Sequence, residues 1–153
     1  MSAYFSFFDE LFFFGSLKGC CELSIDEQDT IQARHVTGLE VNPVNKVLGL
    51  LDTREGEKCV ILSRSQPNQF EGRHEKLKAY VEKMLHFMIH AFLELWTCER
   101  VACRKGFEKL GKTGHGRAWQ DVAVAVENAV REEGFLNLDL KLDREKGLAL
   151  ELL

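Results

Sequence analysis

The chain has 153 residues, a length that bounds it to one domain with room for a hydrophobic core. Apolar residues make up 45% and charged residues 29%, which excludes an intrinsically disordered chain. A formal charge of -4 and a pI near 5.8 exclude a globally basic, nucleic-acid-coating protein.

The first segment, "MSAYFSFFDELFFFGSL", lacks a basic leader and is interrupted by Asp9 and Glu10, so neither a signal peptide nor a membrane span is expected. Phe5, Phe8, Leu11 and Phe12 recur at helical spacing, which predicts a core helix. Past Gly15 and Gly19, "CCELSID" alternates as a strand does, and "HVTGLEV" is a second, weaker extended candidate. Two apolar runs, Val47 to Leu51 and Cys59 to Leu62, flank a polar turn with Gly56 and predict a hairpin. "QPNQFEG" reads as a loop.

From about His74 to Trp96 the period becomes helical. Leu77, Val81, Met84, Leu85, Met88, Phe92 and Leu95 form a stripe too wide for a surface helix, so this helix is expected at the centre. After "GKTGHGRAW", Trp119, Val122, Val126, Ala129 and Val130 predict another amphipathic helix, stopped by Gly134. Trp96 and Trp119 are both expected as core anchors. "FLNLDLKLD" alternates as a half-buried strand, and "GLALEL" is one more strand candidate. This order predicts a single α+β domain spanning residues 1–153.

Five cysteines, with Cys20 and Cys21 adjacent and no C-x-x-C pair, suggest neither a disulfide framework nor a zinc ribbon. A reducing, intracellular setting, nuclear or cytoplasmic, is the expectation. Between Lys76 and Arg117 cations outnumber acids, which offers a local Lys/Arg surface for an anionic partner such as DNA.

"LHFMIHAF" carries the strongest chemical signal. Residues four apart on a helix share a face, so the imidazoles of His86 and His90 can meet one metal ion. Two imidazoles in an otherwise apolar helix are costly to bury without partners. A third, His115, lies between glycines that permit close backbone approach. Three neutral imidazoles with an open fourth position is the pattern of a catalytic zinc site. Glu71, Glu75, Glu94 and Glu108 are the nearby carboxylates in sequence, and Glu94 alone lies one turn from His90. His35 and His74 have no ligand spacing with the three.

Taken in order, "YFSFFDELFFFGSL", "MLHFMIHAFLELWTC" and "GHGRAWQDVAVAVE" resemble the SprT-like domain of Spartan-type zinc metalloproteases, over about residues 4 to 130. The resemblance implies a zincin-type fold, with a small antiparallel sheet packed on a central zinc helix. It also implies zinc held by His86, His90 and His115, and endopeptidase activity toward polypeptide, including proteins crosslinked to DNA. A cleft beside an edge strand of the 47-to-62 hairpin would take the polypeptide by strand addition.

One departure decides the expected activity. The protease motif has glutamate directly after its first histidine, and here that place is Phe87. Phenylalanine cannot exchange the proton that a general base handles, a contribution on the order of 10²–10⁴ in rate. The expectation is a protease domain inactive or very weak as written, or a pseudoprotease that binds polypeptide through the same cleft. No cysteine ribbon or basic tail follows the resemblance in this chain, so any DNA contact is expected from the local Lys/Arg surface or from sequence outside these residues.

Overall fold

The computed structural model describes residues 1–26, 49–54, 57–63, 72–97 and 109–153, with side chains for all of these except 24–26, 49–54 and 57–63. Helix α1 (Ser2–Phe13) buries Phe5, Phe8 and Phe13 and ends where Phe14 and Gly15 turn left-handed, at φ 57° and 68°. The following turn is held by Asp9, whose carboxylate accepts from the Leu17 amide at 3.1 Å and the Lys18 amide at 3.0 Å. A charge that looks misplaced in an aromatic run thus satisfies two backbone donors.

Helix α2 (Arg73–Trp96) is the centre of the molecule. Every residue from Met84 to Ala91 is buried, as the wide apolar stripe predicts. Met84, Leu85, Met88 and Ile89 are fully enclosed, each contributing about 1.5–3 kcal/mol of burial. Helix α3 (Arg117–Arg131) packs Trp119, Ala123, Val126 and Val130 into the same core, and α4 (Arg144–Glu151) closes the chain. Trp96 departs from expectation: it is 62% exposed, in the last turn of α2 beyond the buried segment. Among the described residues no helix is long and apolar enough to cross a membrane.

Strands β1 (Cys21–Asp26), β2 (Gly49–Arg54) and β3 (Glu57–Ser63) pair in the order β1-β3-β2. β2 and β3 occupy the place of the expected hairpin and run antiparallel, from Gly49 opposite Leu62 to Arg54 opposite Glu57. β1 joins β3 in parallel, with Leu23 opposite Val60. Among the described strands β2 is therefore at one edge.

Among the described residues the structure is mostly helical, with four helices, and this corrects the expected α+β domain with a small antiparallel sheet. Among the described residues helices outweigh strands, and the β1–β3 pairing is parallel. Alternation marks a segment as extended but says nothing of its partner's direction. "FLNLDLKLD" shows why: it forms no strand, although Leu140 and Leu142 do point into the core. Its amides go elsewhere, Leu138 to the Val130 carbonyl at 2.7 Å, Lys141 to Glu82 at 2.9 Å and Leu142 to Glu127 at 2.8 Å. "GLALEL", the other strand candidate, lies mostly in α4. "HVTGLEV" and "QPNQFEG" lie outside the described residues, apart from Gly72.

Candidate metal centre

Helix geometry places His86 and His90 one above the other on α2, both buried. His115 arrives from the loop before α3, which folds tightly on itself. The Gly116 amide donates to the Leu110 carbonyl at 2.7 Å, and a Cβ on Gly116 would stand 2.6 Å from the Lys109 carbonyl oxygen. Gly114, at φ 82°, lies over the His90 ring, where a Cβ would come within 3.2 Å of Cε1 and Nδ1. The glycines on either side of His115 are thus required by close approach on one side and by a closed turn on the other.

The three Nε2 atoms form a nearly equilateral triangle: His86 to His90 3.3 Å, His90 to His115 3.1 Å, His115 to His86 3.2 Å. Nitrogens held about 2.0–2.1 Å from a tetrahedral zinc ion stand about 3.3 Å from one another. The triangle has the dimensions of one face of that tetrahedron. Three buried histidines, His86, His90 and His115, therefore lie close enough to bind one metal ion.

Proton bookkeeping points the same way. His86 Nδ1 lies 2.9 Å from the Leu142 carbonyl, which can only accept, so its proton sits on Nδ1 and Nε2 is a bare lone pair. Thr113 Oγ1 donates its single proton to Glu151 and lies 3.2 Å from His115 Nδ1, so it accepts there and His115 Nε2 is bare as well. Two lone pairs face each other at 3.2 Å, and one proton on His90 Nε2 can meet them only as a weaker, shared donor. A cation among them resolves the repulsion. Imidazolium is a poor candidate: burial pushes His86 down to about 3 and His90 well below its ordinary value. Neutral imidazole is also the ligand form.

Trp119, fully buried, packs against all three rings, with centroids 4.8, 5.5 and 4.8 Å from those of His86, His90 and His115. Phe87, 8% exposed, stands edge-on to His86 at 5.1 Å and lies 6.2 Å from His90. No carboxylate joins the histidine cluster among the described residues. Glu94 is half-buried outside it, and Glu75 is exposed in the first turn of α2. Glu71, Glu108, His35, Cys98 and Cys103 lie outside the described residues, and His74 is exposed.

The sequence marks the three histidines but not what holds them. Glu151 Oε1 accepts from the amides of Thr113 at 2.9 Å and His115 at 2.8 Å, and Oε2 from Lys112 at 2.8 Å. Burial raises the Glu151 carboxyl, but the Thr113 hydroxyl and these amides outweigh it, leaving it below the ordinary carboxylate value. Of the described cations between Lys76 and Arg117, Lys78 pairs with Glu82 and Asp139, Lys83 with Asp143, and Arg117 with Asp121. No family model matches the chain, and no curated protein matches it.

Proposed function

We propose that this chain is a SprT-like zinc metalloprotease domain whose chemistry is disabled at Phe87, with zinc held by His86, His90 and His115. The observation that carries the reading is the triangle of buried Nε2 atoms, two of them fixed as lone pairs by their own hydrogen bonds. Three nitrogen ligands without a carboxylate or thiolate suit zinc. Bound zinc would supply a Lewis acid for a peptide carbonyl and acidify its water. The protein's share of the chemistry is deficient, since Phe87 offers no atom that accepts or returns a proton. The substrate class suggested by the family is polypeptide, including protein crosslinked to DNA, and the β2 edge is the candidate surface for strand addition.

A second reading, a non-cleaving module that binds polypeptide with zinc serving only structure, is favoured by one observation. All three histidines are at most 4% exposed, and Phe87 packs edge-on against the His86 ring. Elemental analysis and the Phe87→Glu variant separate the two. The protein as purified should hold about one zinc per chain, and Phe87→Glu should raise peptide or self-cleavage by about 10²-fold or more. A folded, zinc-loaded Phe87→Glu protein without cleavage selects the binding module. A chain that takes up no zinc at all removes both.

A further inference from the structure

Both ligands whose tautomer the structure defines are held from one short stretch near the end of the described chain. His86 Nδ1 donates to the Leu142 carbonyl, two residues before α4, and His115 is held through Thr113 by Glu151, the last residue of α4. Glu151 reaches 36 to 39 residues back to collect the amides of Lys112, Thr113 and His115. Two glycines make the approach feasible. A Cβ on Gly111 would fall 2.4 Å from Glu151 Oε2, and one on Gly147 would fall 2.7 Å from His115 Cδ2. The start of α4 is tied to α2 as well, by the Lys83–Asp143 ion pair one turn before His86.

We propose that Thr113 and Glu151 are the positioning pair of the metal centre, and that metal occupancy and the docking of α4 are one coupled equilibrium. The chemistry is directional. A hydroxyl has one proton, and Glu151 takes it. Thr113 Oγ1 then has only lone pairs to offer His115, which must keep its proton on Nδ1 and turn a bare Nε2 toward His86 and His90. Without Glu151 the hydroxyl is free to rotate and donate to Nδ1, which places the imidazole proton on the ligating nitrogen. A carboxylate acting on a metal-binding histidine through an intermediate group is worth about 10–100-fold in metal affinity when lost. Coupling is reciprocal: what α4 contributes to metal affinity, the metal returns to α4.

This inference rests on the metal-binding reading above, and the experiment keeps the two apart. Zinc affinity is measured on the full chain by competition with a chromogenic chelator, for wild type, Thr113→Val, Thr113→Ser and Glu151→Gln. Amide hydrogen exchange across 144–151 is followed with and without zinc. Thr113→Val should bind zinc about 10–100-fold more weakly, and Thr113→Ser, which restores the hydroxyl, within about threefold of wild type. Glu151→Gln should weaken binding about tenfold, since it keeps an oxygen acceptor but sets an amide donor among backbone donors. Zinc should slow exchange at 144–151. Equal affinity for Thr113→Val and Thr113→Ser, or exchange at 144–151 unchanged by zinc, overturns the positioning role and leaves Glu151 a loop clamp. Should wild type itself bind no zinc, the centre fails rather than its positioning pair.

Discussion

Asp9 and Glu151 hold turns by the same device and to different ends. Each is a carboxylate whose two oxygens collect backbone amides, Asp9 from Leu17 and Lys18, Glu151 from Lys112, Thr113 and His115. Asp9 reaches 8 or 9 residues along its own chain, so its turn closes with α1 and needs little else. Glu151 reaches 36 to 39 residues and meets these partners only once α4 and the loop before α3 have come together. A local carboxylate stabilises; a distant one makes one part of the molecule conditional on another.

The largest expected effect tests the conditional side. His90→Ala should abolish zinc-dependent stabilisation, which in wild type amounts to about 4 kcal/mol at free zinc a thousandfold above Kd. Thermal unfolding with and without zinc reads this directly. Identical zinc-induced shifts in wild type and His90→Ala would remove His90 from the ligand set. On the local side, Asp9→Ala leaves the buried Leu17 amide without its acceptor, a cost of about 1–3 kcal/mol. Its urea midpoint should fall while zinc affinity stays within about twofold of wild type. A large affinity loss in Asp9→Ala would show that the two turns are not independent.

A further, graded effect comes from acid. Burial holds His86 at about 3 and His90 well below its ordinary value, whereas both sit near 6.5 unfolded. Between these limits the unfolded chain binds more protons than the native one, so stability rises with pH. In metal-free protein it should be fully present above about 6.5 and fall as pH drops toward 3, by up to about 1.4 kcal/mol per pH unit for each histidine. Denaturant midpoints at pH 7, 6, 5 and 4 measure the slope, and a flat profile would place the imidazoles in water.

How much of this was legible follows the same division between local and distant. Helix α2 and its two clustered histidines could be read because spacing is local information: His86 and His90 are four apart, and the stripe around them covers several turns. Gly114 and Gly116 marked His115 for the same reason. The Nδ1 partners had no such signal. Leu142 acts through a carbonyl any residue carries, and Glu151 is one of many surface-type acids until α4 docks. Trp119 and Trp96 looked alike in sequence, but only Trp119 has three imidazoles to cover. The strand reading of 135–143 failed because backbone carbonyls of the preceding helix end and two side-chain carboxylates, not a neighbouring strand, took its described amides.

Gly147 shows what this division costs. Glycine inside a helix is worse than alanine by about 1 kcal/mol, and eight residues are too few to hold helical shape alone in water. The final helix is thus poorly made for independence, and the flaw sits where the His115 ring leaves space for nothing larger than hydrogen. Any heavier side chain at that position would repair the helix and evict it from its seat, so the segment can be sturdy or useful but not both.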